Sequence, residues 1–394
     1  MGRHAEPSAG EPSSGERAEA PISFAELTTM RVGGTADRVV VARSKTELAQ
    51  HALELSTSGE PWLLLGGGSN TVMCDEGFRG TVLLVRNEGA DRVGEDHGDG
   101  RVRLRVQAGQ DWDALVDFCV SSGWAGIEAL SGIPGLAGAA PVQNIGAYGA
   151  ELSDVLHSIE FFDEQIGQIV RLSSEELELG YRNSALKRGR RGVVLSIDLV
   201  LQTNSAAQSS PIAYRQLADA LGVSLGDRVP LARLREAVLE LRRSKGMVLD
   251  EDDHDTWSAG SFFTNPIVSE KFARSLPPEA PRFELEPDAD DVTILTFDDL
   301  ERGAVPPISR QDPAERAVKL SAAWLIEQSG IARGFHLPGS GAAISSKHTL
   351  AITNRGAASA SDVAELARLV VQRVQQEFGV LLAPEPNLYG LEVR

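Results

Sequence analysis

The run from Gly126 to Glu151 holds six glycines (Gly126, Gly132, Gly135, Gly138, Gly146, Gly149), two prolines (Pro134, Pro141) and hardly any charge. Such a stretch fits neither an amphipathic helix nor an alternating strand. It reads as backbone laid against a ligand, because glycine permits left-handed φ and close approach, and clustered N–H groups in such turns form anion-binding concavities. The polar side chains within it, Gln143, Asn144 and Tyr148, suit hydrogen bonding to a planar, heteroatom-rich molecule. The alternative is a buried glycine-rich turn of purely structural use.

At 394 residues the chain is long enough for two or three domains of roughly 150 residues each. Lys plus Arg is 38 and Asp plus Glu is 56, a net charge of −18. That argues against nonspecific nucleic-acid binding, so an anionic substrate needs a local cationic site. Cys74 and Cys119 are the only cysteines, too few for a disulfide framework or a cysteine-rich metal centre, and no metal is expected. No apolar run approaches the ~18 residues of a membrane span, and the N-terminus lacks a signal peptide's apolar core. A soluble, cytoplasmic protein without membrane insertion is expected.

Residues 1–20 carry no large apolar side chain after Met1 and read as a disordered tail. Val39–Val41, a helix opened by the capping box Ser44 to Glu47 and running through about Leu55, and Trp62–Leu65 give β-α-β order. The strand ends in Gly66-Gly67-Gly68-Ser69-Asn70. A dinucleotide fold needs a helix next, but Thr71 to Val85 reads as irregular chain and strand, and no phosphate-loop Gly-Lys-Ser/Thr occurs, so no Rossmann unit is expected. The turn suits either N–H groups and the Ser69 and Asn70 side chains gripping a pyrophosphate, or a tight structural turn. Residues 86–100 read as a solvated acidic loop.

Val102, Leu104, Val106 and Ala108 alternate with polar residues as in a half-buried strand. Trp112, Leu115, Val116 and Cys119 recur at helical spacing up to Gly123, which makes Cys119 a core residue. Ile159–Phe162 and Ile169–Leu172 read as a hairpin and Val193–Leu201 as an apolar strand. A helix through Leu231, Leu234, Val238 and Leu241 ends in Arg242-Arg243-Ser244-Lys245, charge that complements its dipole. The run Asp250 to Asp255, with His254, lacks metal-ligand spacing and reads as a solvated turn. Residues 275–315 form a connection with one strand at Val292–Phe297. A short helix over Lys319 to Gly330, strands at Ala343–Ser345 and Leu350–Asn354, a long helix from Val363 to Phe378 stopped by Gly379, and a strand Val380–Leu382 complete the chain.

Two further segments carry chemistry. Ser261 stands between Gly260 and the aromatic pair Phe262-Phe263, where exclusion of water can make its hydroxyl a positioned proton donor. It lacks the Gly-x-Ser-x-Gly elbow of acyl-transfer enzymes. Glu385 lies between Pro384 and Pro386, which fix its backbone geometry.

The form Ala140-Pro-Val-Gln-Asn-Ile-Gly-Ala-Tyr-Gly149 resembles the flavin-binding signature of the UDP-N-acetylenolpyruvoylglucosamine reductases, in its type I version. Tyr181-Arg182-x-Ser184-x-x-Lys187, Gly260-Ser261-Phe262-Phe263, Ala322-x-x-Leu325-Ile326-x-x-x-Gly330 and Pro384-Glu385 are similar to further segments of that family, so the resemblance covers nearly everything after the first twenty residues. Leu186 stands where the family usually has an aromatic, and Thr264 where it more often has Lys.

The resemblance implies an α/β fold of the vanillyl-alcohol-oxidase type: an FAD-binding subdomain over 21–90 joined by 385–394, a second over 91–243, and an α+β substrate domain over 244–384. It implies noncovalent FAD, since no His or Cys lies in the glycine run to tether it, held by Gly66, Gly67, Gly68, Ser69, Asn70, Gly132, Ile133, Pro134, Gly138, Ala139, Gln143, Asn144, Gly146, Ala147 and Tyr148. NADPH would be the reductant and UDP-N-acetylglucosamine enolpyruvate the substrate, contacted by Tyr181, Tyr214, Asn265 and Lys245, the last gripping either the pyrophosphate or the nicotinamide cofactor. Arg182 and Glu385 would stabilise an enolic intermediate, Ser261 would protonate it, and the enzyme would act as a monomer. Another flavin oxidase or dehydrogenase of the same fold, or a noncatalytic nucleotide-binding protein, are the competing readings.

Overall fold

The computed structural model describes residues 22–94, 100–203, 206–284 and 317–393. The tail read over 1–20, the middle of the acidic loop and the strand read at 292–297 lie outside the described residues.

In the first lobe the helix Lys45–Ser58 begins where Ser44 accepts the Glu47 N–H and stops at Gly59, whose φ is 75°. The Glu47 carboxylate takes the Arg43 N–H at 2.7 Å. This helix crosses from the strand Ala36–Ala42 to Trp62–Leu65, but the two do not touch: Phe78–Val85 runs between them, parallel to both. The Gly66–Asn70 turn therefore leaves the C-terminal end of a parallel sheet, the edge at which α/β layers commonly place ligands. Beyond it, Thr71–Met73 pairs in parallel with Asn387–Tyr389 from the far end of the chain.

The second lobe is a six-stranded antiparallel sheet centred on Gly192–Thr203, flanked by Leu156–Asp163 and Arg101–Gln107. Val102, Leu104 and Val106 are buried while their arginine neighbours face outward. The helix Trp112–Ser121, capped by the Asp111 side chain on the Ala114 N–H, packs its Trp112, Leu115, Val116 and Cys119 into the same core. Cys119 is fully buried, and burial pushes its thiol up to about 12, so it is an inert packing residue.

The third lobe surrounds the helix Ala360–Phe378, which starts at a Ser359/Asp362 capping box and ends at Gly379. Its first N–H groups are shared with another lobe: the Asp75 carboxylate accepts from Ala360 N–H at 2.8 Å and Ser361 N–H at 3.0 Å. Two expectations are corrected here. Lys319 and Leu320 belong to the strand Ala317–Leu320, and the helix begins at Ala322 after a Ser321 cap. Among the described residues Val380–Leu382 belongs to no sheet; Val380 and Leu382 are buried in the third-lobe core. Pro384 and Pro386 have no N–H to offer a ladder, and Asn387 is where regular pairing starts.

Candidate active site

A cavity of about 570 Å³ opens where the three lobes meet. Its floor is two glycine-rich loops in contact. Gly67 approaches Gly135 so closely that a Cβ at 67 would lie 3.0 Å from the Gly135 Cα, and Ser69 Oγ donates to Pro134 O at 3.0 Å. The backbone N–H groups of Gly67, Gly68, Ser69 and Asn70 donate to no protein acceptor among the described residues. Orphaned amides gathered in a concavity attract anionic oxygens, so this floor fits the pyrophosphate of a dinucleotide. Leu64, Ala108, Leu136 and Phe161 add apolar wall, which fits flat rings.

Of the residues expected to hold the cofactor, Gly66, Gly67, Ser69, Asn70, Ile133, Pro134, Gly138, Ala139, Gln143 and Gly146 line this cavity, whereas Gly68, Gly132, Asn144, Ala147 and Tyr148 do not. Gly68, at φ 63°, sits tight under the first lobe, where a Cβ would meet Leu27 O at 2.1 Å. The Gly132 N–H is held by Asp113 Oδ1 at 2.6 Å. Asn144 is buried at φ 45° and turns its whole side chain inward: Nδ2 donates to Glu151 at 2.8 Å and lies within reach of Ser153 Oγ and Gly180 O, while Oδ1 accepts the Ser153 N–H. It braces the loop that Gln143 presents; Gln143 Oε1 in turn accepts from Asn70 Nδ2 at 3.1 Å. Ala147 pairs with Ala150 in a two-residue hairpin.

Arg182, Ser261 and Glu385, far apart in sequence, line the same cavity. Arg182 is held at φ 50°, and its Nη2 donates to Gly146 O at 2.9 Å while Nε pairs with Glu385 Oε1 at 3.1 Å. The Glu385 side chain is 13% exposed. Burial pushes its carboxyl up, against the pull of Arg182 and then Lys187. Its backbone is clamped to the Ser261 segment, since Glu385 N–H donates to Phe262 O at 2.9 Å and Thr264 N–H to Ala383 O at 3.1 Å. That segment is also pinned to the first lobe, where Thr29 Oγ1 donates to Ser258 O at 2.6 Å. All three lobes thus fix the catalytic candidates.

The residues expected to contact substrate form two groups beside the cavity. Tyr148 and Tyr214 meet edge to face with ring centres 5.8 Å apart, and Lys245 Nζ lies 5.7 Å from the Tyr148 ring and 2.9 Å from Gln216 Oε1. Tyr181 lies beside Asn265, whose Oδ1 accepts the Ala322 N–H at 3.0 Å, and Lys319 Nζ sits 4.7 Å from the Tyr181 ring centre.

Sequence reading missed two residues. Arg242, read as helix-end charge, lines the cavity; its Nη2 donates to Met247 O at 2.9 Å, and its buried Nε has no partner among the described residues. His348 Nε2 lies 3.3 Å from Ser261 Oγ. Burial, with Lys245, Arg333 and Arg242 nearby, lowers its imidazole to about 4.

An amide-lined cleft between a parallel layer and an antiparallel sheet, facing a third lobe that supplies a hydroxyl, fits an enzyme that holds a dinucleotide cofactor. A family described as "FAD binding domain" matches residues 36–173, and one described as "UDP-N-acetylenolpyruvoylglucosamine reductase, C-terminal domain" matches residues 252–389. The UDP-N-acetylenolpyruvoylglucosamine reductase of Leifsonia xyli subsp. xyli is 58% identical over 378 residues, 94% of this chain and 99% of its own. The enzyme of that name from Saccharopolyspora erythraea is 46% identical over 368 residues, 93% of this chain and 94% of its own. The crystal structure of UDP-N-acetylenolpyruvylglucosamine reductase (MurB) from Thermus caldophilus shares the fold at a TM-score of 0.58 and 24% identity, over 94% of this chain and 98% of that one. The chain belongs to the UDP-N-acetylenolpyruvoylglucosamine reductase family.

Proposed function

We propose that this chain reduces the enolpyruvyl group of UDP-N-acetylglucosamine enolpyruvate, giving UDP-N-acetylmuramate for peptidoglycan synthesis, with NADPH as reductant. The carrying observation is that the amide-rich floor, the Arg182–Glu385 pair and Ser261 face one cavity. FAD, when bound, supplies the hydride chemistry. The free N–H groups of the Gly67–Asn70 turn would hold its pyrophosphate, and Ile133, Pro134, Ala139 and Gln143 would bound its rings.

Hydride addition at C3 of the enolpyruvyl group leaves negative charge spread over C2 and the conjugated carboxylate. Arg182 faces that charge with its position already fixed by Gly146 O and Glu385, the preorganisation that stabilises a transition state without reorganisation at the moment of reaction. Glu385, its carboxyl raised by burial, is poised to share a proton with the same charge. Ser261 would deliver the proton to C2, and Tyr181, Tyr214, Asn265 and Lys245 would hold the UDP-sugar.

No helix among the described residues is long and apolar enough to cross a membrane, which suits work in the cytoplasm on a soluble nucleotide sugar. The domain boundaries follow the same logic, with residues 21–90 and 385–394 and residues 91–243 flanking the cofactor and 244–384 closing over the substrate, within a single monomer. The test is anaerobic: NADPH should bleach the flavin absorbance and the enolpyruvyl sugar should restore it. Flavin that NADPH reduces but the sugar leaves bleached would point to another oxidoreductase of this fold.

A further inference from the structure

The acidic run read as a solvated turn has a definite structural use. Asp255 Oδ1 accepts from Ser345 Oγ and from Ser346 N–H, both at 2.8 Å, and Asp253 pairs with Lys347 Nζ at 2.5 Å. Ser345 Oγ in turn accepts the N–H groups of Lys347 at 3.1 Å and His348 at 3.2 Å. The 345–348 turn is therefore locked from both ends, and it aims one side chain, His348, at Ser261. The backbones are also in register there, since Phe262 N–H donates to Leu350 O at 2.7 Å.

We infer that His348 is a positioning residue for Ser261: it carries its proton on Nε2, donates it to Ser261 Oγ, and so leaves the serine O–H turned toward the substrate. The opposite arrangement, with the serine donating to Nε2, would point the reactive proton away from the cavity. When Ser261 gives its proton to C2, the O–H bond breaks and the C2–H bond forms. The oxygen recovers its proton from solvent, the proton that the overall reduction consumes, while His348 keeps its own on Nε2 and again turns the new O–H toward the substrate. The imidazole stays neutral throughout, consistent with the burial and the cationic surroundings of Lys245, Arg333 and Arg242.

This rests on the proposed function, and the experiment separates the two. In wild type, reoxidation of the reduced flavin by the enolpyruvyl sugar tests the function alone. Given that reoxidation, His348→Ala should slow it about 10- to 100-fold, a part of what positioned proton transfer usually contributes, while flavin reduction by NADPH stays within about twofold of wild type. His348→Gln, whose amide N–H can occupy the Nε2 position, should recover most of the loss. Independently of turnover, ¹⁵N shifts of His348 at pH 7 should show the Nε2–H tautomer. Reoxidation at the wild-type rate in His348→Ala, equal slowing of both half-reactions, or an Nδ1–H tautomer would each overturn the assignment.

Discussion

The floor of the cavity is backbone and its far wall is side chains, and the two should respond to mutation in opposite ways. On the floor, Gly67 and Gly135 work because no side chain projects from them, and the N–H groups of Gly67, Ser69 and Asn70 stay without a protein acceptor among the described residues. On the wall, Arg182, Ser261 and Glu385 act through atoms beyond Cβ, on backbone already fixed by Phe262 O, Ala383 O and Ser258 O. Adding atoms should harm the floor, and removing them should harm the wall. A binding surface made of amides needs its scaffold intact, whereas the wall can lose a hydroxyl without its fold noticing.

Ser261→Ala should show the largest effect and the cleanest separation. Ser261 is only partly buried and, among the described residues, its Oγ has one protein partner, His348, so melting temperature should stay near wild type. A group whose task is to protonate C2 has no part in flavin reduction, and that half-reaction should be unchanged. Reoxidation by the enolpyruvyl sugar should slow by about 10²- to 10⁴-fold. Stopped-flow traces that show both half-reactions slowing together would move Ser261 from the wall to the scaffold.

Gly138→Val probes the floor and pits two explanations against each other. The sequence alone suggests that a branched side chain there would occupy the flavin's space. In the structure the first collision is internal, because a Cβ at 138 would lie 2.5 Å from the Ala108 Cβ. The variant should therefore lose stability even without flavin, by roughly 1–3 kcal/mol for overpacking of this kind, as read from urea denaturation of the apoprotein. Loss of flavin with unchanged apoprotein stability would restore the ligand-contact explanation.

What was legible in the sequence follows the range over which each signal acts. The alternation of Val102, Leu104 and Val106, the helix to Phe378 with its Gly379 stop, and the two glycine loops are local patterns with local causes, and the structure holds each of them. The partner of Thr71–Met73 lies more than three hundred residues away, and no short window contains it. Val380–Leu382 looked like a strand because buried extended chain and paired strand share a composition. Asn144 read as a ligand contact because its amide could serve either ligand or loop, and only tertiary geometry shows the loop taking it. His348 was invisible for the same reason: its relation to Ser261 spans 87 residues, and a lone histidine in a turn carries no spacing signal.

Behind the floor, the second-lobe sheet carries a charge cluster that tests the scaffold side of the comparison with the smallest effect. Asp198, with a side chain 2% exposed, receives Arg103 at 2.7 Å, Arg105 at 2.8 Å and Arg171 at 2.9 Å, and none of the four residues lines the cavity. Burial alone would raise its carboxyl, but the hydrogen bonds from Arg105 and Arg103 hold it at about 2. An unfolded Asp titrates near 3.9, so the folded value lies below the unfolded one, and ionised Asp198 favours the native state by roughly 2 kcal/mol above pH ~4. That contribution should fade as pH falls through about 2. Asp198→Asn removes the titration, so the stability difference between wild type and variant should shrink over this acid window when followed by urea denaturation. The variant should keep its flavin at neutral pH, because the amide-lined floor is formed by other residues. A colourless Asp198→Asn protein that remains folded would mean that the floor depends on the charge behind it, and the division between binding surface and scaffold would have to be redrawn through the sheet.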